Sequence, residues 1–231
     1  MMKIIKSSRY FAILFLFLLL VDVYIKTHLE NVPYRYISKF AVIISLLFYY
    51  NINKKHNSFK YQAITIGLCF FLLGDLLIIN YFETVFFVIA MISFVIGKIM
   101  YCIKFSNNRD FNLIRLLPFS FFSFLLMVLI LMLVINKLGN FFIPVLLYFF
   151  VSLLMFLFAY LRKNDVNKMS YYLVFLGMFS FLISETVMVL KTFYIHIPYN
   201  QTVIMLSYGL AQYLIVLGII NEKKQPNFYE I

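Results

Sequence analysis

The chain has 231 residues, of which 64% are hydrophobic and only 13% charged, with a formal net charge of +11. So little polar sequence excludes a water-soluble fold, which needs a polar shell. The basic excess is spread over short segments between long apolar runs, which excludes a nucleic-acid-binding patch and marks a membrane-topology signal instead.

An apolar helix of about 20 residues crosses the ~30 Å hydrocarbon core of a bilayer. The runs here are continuous rather than alternating, so barrel strands are a poor fit. In chain order they predict helices over 10–25, 36–52, 61–80, 83–104, 113–135, 141–161, 171–190 and 201–220. The expected fold class is all-α: a polytopic membrane protein of about eight transmembrane helices in a single domain, with a short tail over 221–231. The first run follows Lys3, Lys6 and Arg9 but ends in Val21-Asp22-Val23-Tyr24, with no small-x-small cleavage site. It therefore reads as a retained helix rather than a signal peptide.

The connections alternate in charge. One side, which includes Lys3, Lys6, Arg109, Lys223 and Lys224, carries 14 Lys and Arg; the other carries five, Lys26, Arg35, Lys39, Lys137 and Lys191. The positive-inside bias then puts both termini in the cytoplasm. Cys69 and Cys102 fall in the third and fourth runs and read as packing residues. His28, His56 and His196 lie in separate connections without metal-ligand spacing, so neither a metal nor a cofactor is implied. Phosphate-binding loops, dinucleotide fingerprints and nucleophile elbows are missing from the sequence.

Ionisable residues inside a span are costly and call for a reason. Asp75, Lys98 and Glu185 stand out. Gly67 precedes Asp75 by eight residues, and Gly177 precedes Glu185 by eight; Asp75 to Lys98 and Glu185 to Tyr208 are both 23 residues. The common offset of 110 residues suggests two parallel four-helix halves, 1–108 and 109–220. By depth, Lys39, Asp75, Tyr148, Glu185, Tyr208 and Gln212 fall in one layer toward the outer side, with Lys98 deeper. Tyr208 and Gln212 share a helix face, because i and i+4 are neighbours. Such a layer would line a polar pocket open to the outer leaflet. The plainer alternatives are a register-fixing Asp75–Lys98 ion pair, interhelical hydrogen bonding by Tyr208 and Gln212, and a snorkelling Lys39.

The ordered motifs also carry a resemblance. Gly74-Asp75-Leu76-Leu77 precedes Phe94-x3-Lys98-x2-Tyr101; Ser38-Lys39 lies before them, and Pro144-x3-Tyr148, Ser184-Glu185 and Tyr208-Gly209-Leu210-Ala211-Gln212 follow. This set resembles the YhhN-type lysoplasmalogenase family, with its Gly-Asp motif, its Phe-x3-His-x2-Tyr segment and its Tyr-x2-Ala-Gln ending. Lys98 stands where that pattern has His, Glu185 where it usually has Asp, and Phe40 where it has Pro. The resemblance implies a multi-spanning membrane hydrolase that cleaves the vinyl ether bond of lysoplasmalogens, giving a fatty aldehyde and a glycerophospho-alcohol.

Vinyl ethers are cleaved by acid, and the need is that of glycoside hydrolysis: one protonated acid and one carboxylate. Asp75 and Glu185 are the candidate catalytic pair. Asp75 would stay ionised beside Lys98 or Lys39 and stabilise the oxocarbenium ion; Glu185 would be the general acid, or the roles would reverse. Lys39, Lys98, Tyr148, Tyr208 and Gln212 are the candidate substrate-binding residues, with Lys39 placed for the lipid phosphate. The expected partner is a lysophospholipid. Two other functions fit the same residues: a non-catalytic lipid- or small-molecule-binding protein, and a small-molecule transporter. Short loops and an Ile-, Phe-, Lys- and Asn-rich composition suggest a bacterial cytoplasmic membrane.

Overall fold

The computed structural model describes residues 8–29, 33–107 and 113–223. Of the basic residues in the charge count, Lys3, Lys6, Arg109 and Lys224 lie outside the described residues. The chain forms α1 (Ser8–His28), α2 (Tyr34–Asn53), α3 (Phe59–Leu77), α4 (Thr84–Phe105), α5 (Leu113–Leu138), α6 (Phe142–Leu161), α7 (Lys168–Phe193) and α8 (Asn200–Ile220). Short 3₁₀ turns extend α3 and α6 and link α5 to α6, and the described residues contain no strand.

Seven of these helices are long and apolar enough to cross a membrane. The other, α2, carries Arg35, Ser38 and Lys39 near one end and Asn51 and Asn53 at the other, and it packs against α1, α3 and α8. The chain is thus an integral membrane protein of seven to eight spanning helices. In hydrocarbon every backbone N–H and C=O must be satisfied within the segment, which only a helix or a closed barrel achieves. The outer surface agrees. On α5, Leu117, Phe121, Phe122, Phe124 and Met132 all project outward, a face that lipid covers and water does not.

Glycines set how closely the helices meet. A Cβ on Gly67 would lie 2.8 Å from the Tyr101 ring and 3.1 Å from the Gly97 carbonyl oxygen, so α3 and α4 touch backbone to backbone there. Gly177 makes the same kind of contact between α7 and α8, where a Cβ would lie 3.0 Å from the Ala211 oxygen. Small residues allow this close approach in membranes, where packing rather than hydrophobic burial holds helices together.

Residues 110 apart meet in the centre. Phe71 and Phe181 pack ring to ring at 5.7 Å. The ammonium of Lys98 lies 5.7 Å from the Phe181 ring, and the counterpart contact, Tyr208 on Phe71, is at 6.4 Å.

The two ends of the bundle differ. At one end, just past α8, Glu222 is buried and receives Lys104 Nζ at 2.9 Å, Arg162 Nη2 at 2.8 Å and the Tyr61 hydroxyl at 3.2 Å. This clamp ties α3, α4 and the end of α6 to the residues that follow α8. The opposite end opens into a cavity.

Candidate functional site

The cavity has a volume of about 390 Å³, within the range of small-molecule sites. Residues near the ends of α1, α2, α3, α7 and α8 line it, together with the start of α4 and Tyr148 of α6. Most of the lining is apolar, including Ile78, Phe87, Phe94, Phe181, Ile204 and Met205.

Two carboxylates, Asp75 and Glu185, are on its wall, each only 3% exposed. Asp75 is near the end of α3, where Lys39 Nζ donates to Oδ1 at 3.3 Å and the Tyr208 hydroxyl donates to Oδ2 at 3.0 Å. Glu185 is on α7, where Lys98 Nζ pairs with Oε1 at 2.5 Å and the Tyr148 hydroxyl lies beside the carboxylate. Each acid therefore faces one ammonium and one phenol, contributed by exchanged helices. The ammonium comes from α2 and the phenol from α8 for Asp75; they come from α4 and α6 respectively for Glu185. Tyr148 lines the cavity together with both acids.

Lys98 is fully buried. It also donates to Ser152 Oγ at 2.7 Å and lies 3.0 Å from the centre of the Tyr148 ring. The alternative of an Asp75–Lys98 pair is not what the helices form. Phe94, Gly97 and Tyr101 make the stripe of α4 that faces α3. Lys98, one residue on from Gly97, is turned about 100° away, toward α6 and α7.

Of the candidate residues, Asp75, Glu185, Lys39, Tyr148 and Tyr208 line the cavity together. Lys98 and Gln212 are not among the lining residues. Gln212 is completely buried and accepts a hydrogen bond from the Tyr101 hydroxyl at 2.7 Å. It lies one helical turn, about 5.4 Å, deeper than Tyr208.

Sequence reasoning missed a third acid. Asp22 on α1 is 1% exposed; Arg35 Nη1 reaches it at 2.5 Å, the Ser38 hydroxyl at 2.6 Å, and Lys39 Nζ lies 4.0 Å away. Lys39 thus bridges Asp22 and Asp75. The available signal was an acid inside the first apolar run, and Arg35 one turn before Lys39. The three buried acids Asp22, Asp75 and Glu185 are matched by Arg35, Lys39 and Lys98, so this network carries no net charge. Such balance is what low dielectric demands of charges kept from water.

The described residues contain no group of three His, Cys, Asp or Glu that could hold a metal ion.

The YhhN family model matches residues 34–219. The chain belongs to the YhhN family. The match runs from α2 to α8 and takes in every cavity carboxylate, whereas Asp22 and Lys26 on α1 precede it. No curated protein and no solved structure matches the chain. Within this YhhN chain, Lys98 pairs with Glu185.

Proposed function

We propose that the cavity is the active site of a membrane-embedded hydrolase that cleaves the vinyl ether bond of lysoplasmalogens. The observation that carries this reading is a pair of buried carboxylates, each beside one ammonium and one phenol, on the wall of a mostly apolar cavity in a YhhN-family chain. The alkenyl chain lies against the apolar lining. A proton passes from the Lys98–Glu185 pair to the vinyl carbon β to oxygen, and the π electrons form the new C–H bond. The resulting oxocarbenium ion is stabilised by Asp75, held in place by Lys39 and Tyr208. Water adds to the cationic carbon and returns a proton to the pair. The hemiacetal then collapses to aldehyde and alcohol. Lys98 is well suited to the altered motif: a single proton shared between its amine and Glu185 serves where imidazole would otherwise act.

The parallel repeat of α1–α4 and α5–α8 is part of this reading. It puts Asp75 and Glu185 at equivalent positions, and the reciprocal contacts 110 residues apart support it. The bias of 14 to five Lys and Arg supports a cavity facing away from the cytoplasm, in a bacterial cytoplasmic membrane. A second reading, binding without turnover, is favoured by Lys98 in place of histidine.

The test is chemical. Purified protein is given a lysoplasmalogen and, separately, the saturated alkyl-ether analogue, and aldehyde is measured. Aldehyde from the vinyl ether alone is expected. A folded protein that binds both lipids and releases no aldehyde would favour the second reading.

A further inference from the structure

Both acids stand at the closed inner end of the cavity. On α7 the innermost lining residue is Phe181, four residues or about 6 Å beyond Glu185. On α3 the innermost lining residue is Asp75 itself. Behind them Phe71, Tyr101 and Gln212 are fully buried, and Phe71 packs on both Phe94 and Phe181. A vinyl ether at the acids therefore has room inward for a few carbons and not for a fatty chain. The open end is lined by Lys26, Arg35 and Lys191, charged groups whose solvation hydrocarbon cannot replace.

That leaves the side walls. Arg35 of α2 reaches Asp22 on α1 and the Met205 sulfur on α8, and Lys39 joins α2 to Asp75 on α3. The Ser184 hydroxyl donates to the Ile204 carbonyl between α7 and α8 at 2.9 Å. A Cβ on Gly74 would lie 2.7 Å from the Phe94 ring, so α3 and α4 are tight there. The groove between α6 and α7 is covered by α5, which packs on both. Between α4 and the start of α6 the contact is apolar. Phe87 lines the cavity, and its ring meets that of Phe141 edge-on at 5.4 Å. Both rings are half-buried, and on the same two helices Val85, Ile89, Ile143 and Leu147 are exposed to lipid. Phe141 ends a 3₁₀ turn that begins at Gly139, whose φ is +47° and beside which an added Cβ would meet nothing within 4 Å. The turn therefore has open space beside it.

We propose that the substrate chain leaves the cavity sideways, through the seam between α4 and the start of α6, and that Phe87 and Phe141 are the residues that select it. The chain then lies in the bilayer while the ether stays at the acids. This route rests on the cavity being the site of an ether lipid, and not on hydrolysis.

The experiment maps the chain directly. The full protein in lipid nanodiscs is given a saturated hexadecyl-ether lysophosphocholine with a diazirine at the chain terminus, and photoproducts are located by mass spectrometry. Competition by the unlabelled ether separates labelling from the site from labelling by bulk lipid. Competable label is expected along the seam, at Phe87, Phe141, Ile143 or Leu147. Phe141→Trp should lose that label, and Phe141→Ala should strengthen it. Phe141→Leu removes the ring contact with less loss of packing and should act in the same direction as the alanine variant. Competable label confined to Tyr81, Met188 or Lys191 overturns the route, and so does seam label that Phe141→Trp leaves unchanged in folded protein, or no competable label at all. Seam label without aldehyde from a lysoplasmalogen counts against the hydrolase reading alone; aldehyde with label only at the open end counts against the route alone.

Discussion

Lys98 and Glu185 form a buried ion pair. Both are almost wholly withdrawn from the surface, and their atoms are 2.5 Å apart. Removing one partner of a buried pair strands the other charge and costs roughly 3–5 kcal/mol, whereas removing both together is often neutral. Thermal unfolding in detergent should show Lys98→Met and Glu185→Gln each strongly destabilised, with the double variant recovering most of the loss. Additive losses would mean that the two groups do not interact. The sequence marked both residues as out of place in lipid, and their burial agrees with that. It did not show their pairing, because partner choice depends on helix rotation. Gly97 faces α3, so its neighbour Lys98 must face elsewhere. Gln212 illustrates the same limit. Its i, i+4 relation to Tyr208 fixed the helix face correctly, but one turn of depth separates a phenol at Asp75 from an amide at Tyr101.

At the scale of elements, the expected spans lie within about three residues of the observed helices, because bilayer thickness fixes both the length of an apolar run and that of the helix it forms. Contacts between helices rest on small residues whose roles differ. A Cβ on Gly177 meets backbone on α8, 3.0 Å from the Ala211 oxygen and 3.1 Å from the Ile215 nitrogen, and backbone cannot turn aside. On Gly209 the nearest atoms are the ends of the Leu19 side chain on α1, which can change rotamer. Gly177→Ala should therefore lower the unfolding temperature more than Gly209→Ala, with an overpacking cost of about 1–3 kcal/mol for the former. The reverse order would show that α7 and α8 have room to separate. Asp22 was the element-level omission. Inside α1 it looked like one acid at the end of an apolar run, and its function as the counter-charge to Arg35 and Lys39 on α2 emerges only when the two helices pack.

Across the whole molecule, the Glu222 clamp closes one end while the cavity occupies the other. Burial raises the Glu222 carboxyl, but Lys104 and Arg162 beside it outweigh that and hold it below its ordinary value of 4.5. A carboxyl whose value is depressed in the fold adds stability that is complete above its unfolded value and is lost as pH falls through the folded one. Glu222→Gln should thus unfold at a lower temperature at neutral pH, and its gap from the parent should close as pH drops below about 4.5. A gap independent of pH would show that the carboxylate charge is not what holds the clamp. The central claim concerns the opposite end, where Asp75 and Glu185 share one cavity. Its most direct test is aldehyde release from a lysoplasmalogen by the parent, Asp75→Asn and Glu185→Gln at matched, folded concentrations. The expected result is release by the parent and a loss of about a hundredfold or more in each variant, the scale of a missing acid–base group; equal release by all three would contradict the site.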